Sequence, residues 1–225
     1  MVEAFTESEM NLVRACPLFA GMDDAEIAAA LPVLNARRRR FAKGTYVQRA
    51  DEPFRYAGLV LSGAVTGQFV TEEYNMVTLN RYTPGGFFGL TFALVARPKS
   101  PVQILASEDS DILLFEVAGL FSANAEPGSP EERLRRNLVG ALVQQNLFLN
   151  RRVRILSQGS IRNRLLYYLA ECDTDEQGFA KVPFSRTELA GFLSVNRSAL
   201  SREIGAMQRE GLLELEGPRL RLVRR

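Results

Sequence analysis

The chain has 225 residues, of which 46% are hydrophobic and 24% charged, a composition typical of a globular protein long enough for two domains. It contains no histidine, which removes the commonest metal ligand and general base, and with them histidine-ligated haem. Its two cysteines, Cys16 and Cys172, are too few for a four-thiolate iron–sulfur cluster or a disulfide framework. We therefore interpret them as structural thiols, with a redox role as the alternative, and expect neither a metal nor another cofactor.

The sequence carries no signal for membrane insertion or export. It has no run of eighteen apolar residues, and its first residues are acidic without an apolar segment. We therefore expect a cytoplasmic protein without a membrane partner. The net charge of +2 is uneven, because residues 1–130 carry −4, residues 131–157 carry +4 and residues 158–225 carry +2. The basic excess in the C-terminal half fits a nucleic-acid partner.

Residues 1–34 are predicted to be helical, with one helix starting at Asp23 or Asp24, where acidic residues suit the helix dipole. Arg37 to Arg40 then form a run of four arginines. We favour a first strand with solvated charges over a nucleic-acid patch, because the run lies far in sequence from residues 184–213, where two short helices and a tight turn are predicted.

Short strands separated by turns occupy residues 41–117 and predict an all-β barrel or roll. The predicted strands are Tyr46–Val47, Tyr56–Leu61, Ala64–Val70, Met76–Tyr82 and Ile112–Val117. One segment within this region is strongly apolar through Phe87, Phe88, Leu90 and Phe92. Core packing and a pocket for an apolar or aromatic ligand both explain this segment.

A long helix is predicted over residues 131–157, introduced by Ser129-Pro130 and two glutamates. Gln145 and Arg152 interrupt an apolar stripe near a heptad period, whose members are Leu134, Leu138, Ala141, Leu142, Leu149 and Leu156. The stripe packs either on its own roll or on the same helix of a second chain. Residues 157–160 then predict a hinge, followed by a helix over Ile161–Cys172, a polar loop and a short strand over Phe179–Pro183.

Two short helices joined by a tight turn are predicted between Phe184 and Leu213. Ser185 and Glu188 have capping-box spacing, and the first helix has an apolar face of Leu189, Phe192 and Leu193. Asn196 can cap a second helix over about residues 197–209. Its buried stripe is Leu200, Ile204 and Met207, and its exposed face carries Arg197, Ser198, Ser201 and Arg202.

That exposed face suits the major groove of DNA, which admits an α-helix and offers guanine acceptors to arginine. A solvated, charged helix face is the alternative. The residues after Gly211 alternate apolar and polar around Gly217-Pro218, which predicts a strand, a turn and a strand. A helix-turn-helix followed by a hairpin is a winged helix, and the combination favours DNA binding.

This stretch resembles the DNA-binding domain of the CRP/FNR family of bacterial transcription regulators, through Thr187-Glu-Leu-Ala, Asn196-Arg197 and Ser201-Arg202. The resemblance implies that Arg197 and Arg202 read bases, and we place Ser198 and Ser201 beside them. Ser198 stands where relatives with the best-known operators often have glutamate. We expect the phosphates to be held by Ser185, Arg186, Thr187 and Asn196.

The strand region resembles the cyclic-nucleotide-binding β-roll of the same family, through Lys43-Gly44, Leu61-Ser62-Gly63 and Pro84-Gly-x-Phe-Phe-Gly89. Cyclic-nucleotide sensors continue with Glu-Leu, whose carboxylate binds the ribose, and with an Arg-Ser pair for the phosphate. Here Leu90-Thr91 follows Gly89, and the pair becomes Ser100-Pro101, or Lys99-Ser100 with another gap. We therefore expect an effector other than cyclic AMP, in a pocket of Phe87, Phe88, Gly89, Leu90, Ser100, Gln145 and Asn146.

The family precedent also favours a parallel pair of long helices, and a twofold dimer suits a palindromic site. The expected interface residues are Leu134, Leu138, Ala141, Leu142, Gln145, Leu149 and Leu156. In that arrangement Gln145-Asn146 either contacts the effector or fixes the register of the two helices.

The sequence thus predicts an α+β chain: an antiparallel, jelly-roll-like β-roll over residues 1–130, a dimerisation helix over 131–157 and a winged helix-turn-helix over 158–225. The predicted function is a homodimeric, effector-controlled transcription regulator that binds double-stranded DNA and possesses no enzymatic activity, with RNA polymerase as a further partner. A constitutive regulator with a vestigial roll is one alternative. A cupin-like enzyme is another, and the absence of histidine argues against it.

Overall fold

The computed structural model describes residues 4–70, 76–95, 100–121 and 126–223. Its helices are α1 Glu7–Ala15, α2 Asp24–Val33, α3 Leu90–Val95, α4 Pro130–Leu156, α5 Ile161–Ala170, α6 Arg186–Phe192 and α7 Arg197–Arg209. Its strands are β1 Arg37–Phe41, β2 Tyr46–Gln48, β3 Ala57–Ser62, β4 Val65–Val70, β5 Met76–Tyr82, β6 Phe87–Phe88, β7 Val102–Ala106, β8 Ser110–Phe115, β9 Leu213–Glu216 and β10 Arg219–Leu222. Antiparallel sheets, a long helix and a C-terminal helix-turn-helix follow in that order, so the predicted α+β class is confirmed.

Two four-stranded sheets make up the β-rich part, with the strand orders β1-β8-β3-β6 and β2-β7-β4-β5. The central strand β8 has six buried residues, and it pairs antiparallel with β1 (Arg39 opposite Ile112) and with β3 (Leu59 opposite Leu113). Continuous burial suits a strand covered on both faces. The hairpin β9–β10 forms a separate two-stranded sheet with Leu213 opposite Leu222.

The chain divides into two compact units, of which the first contains residues 1–70 and 82–146 and the second residues 71–81 and 147–225. Helix α4 begins and ends within one residue of the predicted helix, but the division between the units falls inside it. The domain boundaries at residues 130 and 157 therefore stay a prediction.

The run of four arginines lies on strand β1, as the interpretation of the run as a first strand predicted. Arg38 is largely buried and donates to Glu9 at 2.5 Å and to Asp111 at 2.7 Å. Arg40 lies 3.6 Å from Asp111. Part of this positive charge is thus neutralised inside the first unit.

Several local elements differ from the sequence-based expectations. The strand β7 and the short helix α3 were not predicted, because five- and six-residue apolar stretches carry too few turns to distinguish a strand from a helix. The predicted strand over Phe179–Pro183 is wrong: Ala180 makes isolated bridges to Thr174 and Leu220. Pro183 has no N–H to extend such a ladder.

The second unit has its own apolar core beneath the helix-turn-helix. Ile155 of α4 packs there with α5, α6, α7 and the hairpin, and the most deeply buried members are Leu165, Leu189, Leu193, Leu200, Met207, Leu213 and Leu220. Among the described residues, no helix is long and apolar enough to cross a membrane.

Candidate nucleic-acid interface

The first helix of the motif, α6, is held by a capping box and by an arginine from another helix. The Ser185 hydroxyl accepts from the Glu188 N–H at 3.3 Å, and the Glu188 carboxylate accepts from the Ser185 N–H at 2.9 Å. After α6 the chain turns through Ser194, whose φ of +53° lies in the left-handed region. Arg164 of α5 donates to the carbonyls of Leu193 at 3.0 Å and Ser194 at 3.3 Å, so it satisfies the orphan acceptors at this turn.

Helix α7 has one buried face and one exposed face, as predicted. Leu200, Ile204 and Met207 are at most 4% exposed, which packs α7 on the core of the second unit. The four predicted base-reading residues all lie on the exposed face: Arg197, Ser198, Ser201 and Arg202. Within the described part of the chain, neither arginine makes an ion pair or a side-chain hydrogen bond, so both guanidinium groups are free to bind a ligand.

The acidic residues of α7 are held by a partner that the sequence did not indicate. Arg162 of α5 donates to Glu203 at 2.6 Å and to Glu210 at 2.6 Å. Its hydrogen bond lowers the pKa of Glu210. Because the partners stand 41 and 48 residues away, no local pattern reveals the contact. The pairing neutralises the carboxylate of Glu203 on the helix that carries Arg197 and Arg202, and that of Glu210 at the C-cap of the same helix.

The predicted phosphate-binding residues lie around the N-termini of α6 and α7. Ser185 and Asn196 cap these helices, and Thr187 is exposed. Burial lowers the pKa of Arg186, and among the described residues this guanidinium makes no ion pair. Backbone N–H groups at a helix N-terminus favour an anion, so the placement is compatible with phosphate contacts.

The hairpin's arginines are already engaged inside the second unit. Arg219 pairs with Asp175 and Glu216, and Arg221 pairs with Glu214. Both guanidinium groups also lie over the ring of Phe179, at 4.3 and 4.8 Å from its centroid. The hairpin therefore offers less free positive charge than its sequence indicates.

A buried arginine of α4 was missed as a structural residue. Arg152 is 6% exposed and donates to the carbonyls of Thr78 at 2.6 Å, Leu79 at 2.8 Å and Phe192 at 3.4 Å. Its guanidinium also lies 4.8 Å from the centroid of the Phe192 ring. Arg152 thus joins strand β5 to the C-terminus of α6 within the second unit.

The predicted effector residues lie mostly in packed core rather than around an open pocket. Phe88 and Leu90 are at most 3% exposed, and the Phe88 ring fills the space over Gly58, where a Cβ would lie 2.3 Å from it. Ser100 is fully buried, and within the described part of the chain its hydroxyl bonds to the N–H and carbonyl of Val102. Phe87 packs beside Phe115 with ring centroids 6.2 Å apart.

The remaining predicted effector residues are Gly89, directly before α3, and Gln145 and Asn146 on α4. Thr91 donates to Gln145 at 2.9 Å, and Asn146 is exposed on the next position of α4. Gly89 has a φ of +76°, and an added Cβ would lie 2.6 Å from Phe54, so the turn requires glycine. Lys99, the other candidate for the phosphate pair, lies outside the described residues.

A cavity of about 100 Å³ exists elsewhere in the first unit, with Phe88 in its wall. Phe54 and Leu114 contribute further apolar surface, and Arg39 and Gln48 are among its polar residues. The described residues contain no group of three or more acidic or cysteine side chains that could hold a metal. Burial raises the pKa of the Cys16 thiol to about 12, and it also raises the pKa of Cys172.

Helix α4 carries two stripes that the sequence-based interpretation merged. The inner stripe is Leu134, Leu138, Ala141, Gln145, Phe148, Arg152 and Ile155. Beside the first turns of this stripe, Asn137 donates to the Ala20 carbonyl at 2.9 Å. Arg133 pairs with Glu26 at 2.7 Å. Leu134, Leu138 and Ala141 are therefore covered within the first unit and cannot gain burial from a partner. This corrects the expectation that they line a dimer interface.

The outer stripe is Val139, Leu142, Asn146, Leu149, Val153 and Leu156, and it follows a strict heptad. Val139, Leu149 and Val153 are 56%, 49% and 65% exposed. Exposed apolar side chains repeated at this spacing on one helix are the pattern of a coiled-coil surface. The predicted residues Leu142, Leu149 and Leu156 belong to this stripe.

Comparison with known proteins assigns both halves of the chain. A model of the cyclic nucleotide-binding domain matches residues 38–123, and a model of the Crp-like helix-turn-helix domain matches residues 163–225. Transcriptional regulator SdrP of Thermus thermophilus is 28% identical over 159 residues, which cover 68% of this chain and 72% of that protein.

Solved structures share the fold. FixK2 from Bradyrhizobium japonicum superposes with a TM-score of 0.67 at 21% identity, over 84% of this chain and 93% of that one. CLP, a c-di-GMP-responsive global regulator of Xanthomonas campestris, gives 0.69 at 21% identity, over 90% and 100%. A CRP/FNR-family regulator of Thermus thermophilus gives 0.58 at 26% identity, over 84% and 94%.

The roll, the long helix and the helix-turn-helix with an exposed, arginine-bearing second helix define a transcription regulator with a cyclic-nucleotide-binding-like domain. The chain belongs to the CRP/FNR family of bacterial transcription regulators.

Proposed function

We propose that the protein acts as a homodimer that binds a palindromic DNA operator by inserting α7 of each chain into the major groove. The observation that carries this proposal is the exposed face of α7, where Arg197 and Arg202 have no side-chain partner among the residues that the structure describes. Arg162 meanwhile holds the carboxylates of Glu203 and Glu210. Arginine reads guanine through two parallel hydrogen bonds, which requires a guanidinium not already engaged. Ser185, Arg186, Thr187 and Asn196 would then contact phosphates and orient the helix.

The dimer is supported by the outer stripe. Valine at positions a, leucine at positions d and one asparagine at a are the combination that favours a parallel two-stranded coiled coil. Asn146 would face its counterpart in the partner and fix the register, so we favour this role over contact with an effector. A twofold dimer also presents two copies of α7 to a twofold operator.

For the roll, we propose an effector other than cyclic AMP. Leu90 supplies no carboxylate for a ribose, and the Ser100 hydroxyl already bonds to Val102. The packed aromatic interior around Phe88 equally supports a regulator whose roll needs no ligand. Contact with RNA polymerase stays a prediction.

Replacing Arg202 with alanine tests the central proposal. We expect Arg202→Ala to weaken binding to the preferred operator by about 1–3 kcal/mol and to relax the preference at one base pair of each half-site. Nonspecific affinity should change little. Binding would be measured by fluorescence anisotropy with operator and scrambled duplexes at several salt concentrations.

The matched control is Arg40→Ala, which removes the same charge from an exposed arginine of β1. It should leave operator binding within about twofold of the wild type, because Arg40 lies on β1, outside the helix-turn-helix, and its exposed ion pair with Asp111 contributes little to stability. Equal losses for operator and scrambled DNA in Arg202→Ala would contradict base recognition by this residue.

A further inference from the structure

The N-terminus of α7 contains a pair of hydrogen bonds that determines whether one candidate base-reading residue can donate a further hydrogen bond or only accept one. The Asn196 side-chain oxygen Oδ1 accepts from the Ser198 N–H at 2.9 Å. The same Oδ1 lies 2.6 Å from the Ser198 hydroxyl oxygen. Ser198 is the second residue of α7, and its side chain is exposed.

The backbone N–H of Ser198 determines the orientation of the Asn196 side-chain amide. An N–H can only donate, so the atom facing it must be the amide oxygen rather than the NH₂ group. That oxygen has no proton to give, so the short contact with Ser198 requires the serine hydroxyl to be the donor. The single proton of the Ser198 hydroxyl is therefore committed to the helix cap.

With its proton committed, the Ser198 oxygen can offer only lone pairs to a further partner. The major-groove edges of the four bases differ in what they require from such a group. Adenine and cytosine present an amino donor there, whereas guanine and thymine present acceptors. A side chain that can only accept pairs with the amino bases and is mismatched with the other two.

We propose that Ser198 acts as an acceptor-only specificity residue, which selects adenine or cytosine over guanine or thymine at the operator base that it faces. The proposal rests on the proposed binding of α7 in the major groove and adds the class of base required there. Ser201, one turn further along the same face, makes no side-chain hydrogen bond among the described residues. Its hydroxyl can rotate to donate or accept, so it carries no such preference.

Selection from a randomised operator library tests the proposal at its first step. The wild-type protein, Ser198→Ala and Ser201→Ala are compared under identical salt. The base pair that loses its preference in Ser198→Ala, but keeps it in Ser201→Ala, is the one that Ser198 faces. In the wild type, the enriched bases on one strand at that pair should be adenine and cytosine.

The second step removes only the donor on the DNA. The selected base is replaced by its analogue without the amino group, purine for adenine or pyrimidin-2-one for cytosine. Loss of one neutral hydrogen bond should weaken wild-type binding roughly 2- to 12-fold, and the analogue should cost Ser198→Ala nothing. Asn196→Asp keeps an acceptor in the cap, so it should retain the wild-type base preference, although its added negative charge should weaken binding to all duplexes alike. Thermal melting of each variant establishes that it is folded.

The outcomes separate this inference from the function on which it rests. No enrichment of any sequence by the wild-type protein would overturn both. A defined operator with guanine or thymine at the Ser198 position would overturn the acceptor-only role and leave the proposed regulator standing. The same conclusion would follow if Ser198→Ala altered no position, or if the analogue weakened Ser198→Ala as much as the wild type.

Discussion

Single residues show how the tertiary structure reassigns charges that look alike in the sequence. Arg151 and Arg152 are adjacent on α4. Arg151 is 60% exposed and pairs with Glu171 at 3.0 Å, whereas Arg152 is buried against three carbonyls of the second unit. A buried guanidinium needs hydrogen-bond partners, and here backbone oxygens of β5 and of the end of α6 accept from its two terminal nitrogens, Nη1 and Nη2.

We therefore expect substitutions of these two neighbouring arginines to lower the free energy of unfolding by very different amounts. Arg152→Met should lower the free energy of unfolding by about 2–4 kcal/mol, because it removes several hydrogen bonds and leaves buried carbonyls unpaired. Arg151→Met should cost at most about 1 kcal/mol, as is usual for exposed ion pairs. Urea denaturation followed by circular dichroism measures both, and similar midpoints for the two variants would contradict the structural role of Arg152.

At the scale of elements, α4 serves two surfaces at once. Its inner stripe is buried or half-buried, and its outer stripe carries the heptad of valines, leucines and one asparagine. Because a helix repeats every 3.6 residues, apolar residues at mixed three- and four-residue spacings can belong to either stripe. This is why Leu134 and Leu138 were assigned to the interface when they belong to the core.

One substitution on each side of α4 tests the proposed interface. Val153→Asp places a carboxylate in the C-terminal half of the outer stripe, where burial against a partner without compensation costs several kcal/mol. We expect monomers in sedimentation velocity at micromolar concentration, with weak operator binding. Leu147→Asp is the matched control, because Leu147 is equally apolar and 55% exposed but lies off the outer stripe. A monomeric wild type, or dissociation by both variants, would contradict the assignment.

On the scale of the whole molecule, two family domains are joined in one chain, and the open question is what the first of them senses. The cyclic nucleotide-binding domain model matches residues 38–123. The position expected to bind a sugar is nevertheless occupied by Leu90, and the position expected to bind a phosphate by Ser100. The Ser100 hydroxyl is buried and already hydrogen-bonded to the backbone of Val102. We therefore expect the fold to have kept its shape while its ligand chemistry changed.

Cyclic AMP should consequently leave the protein's stability unchanged. A ligand with a Kd of about 10 μM, present at about 1 mM, would stabilise the folded state by about 2.7 kcal/mol. In a chain of this size that corresponds to a rise in Tm of roughly 5–10 °C. We expect no such rise in a thermal-shift assay, with adenosine monophosphate as the control nucleotide. A rise with cyclic AMP alone, accompanied by tighter operator binding, would contradict the expectation.

The sequence by itself determined the elements whose pattern is local and repeated. The capping box at Ser185, the Asn196 cap and the buried stripe of Leu200, Ile204 and Met207 all appear where their spacing predicts them. Such signals depend on residues three or four positions apart, which a helix brings together wherever it lies in the fold. The roll's turns and the wing hairpin were predicted from signals that are equally local, namely turn glycines and the alternation of apolar and polar residues in a strand.

Only the tertiary structure decided which side chains remain available for function. Arg162 binds Glu203 and Glu210, Arg152 binds the carbonyls of Thr78 and Phe192, and Phe88 closes the space over Gly58. Each contact joins residues far apart in the sequence, so no periodicity encodes it. Burial and pairing are properties of the packed chain. They remove other charged and apolar candidates from the surface and leave Arg197 and Arg202 without a side-chain partner in the described ranges.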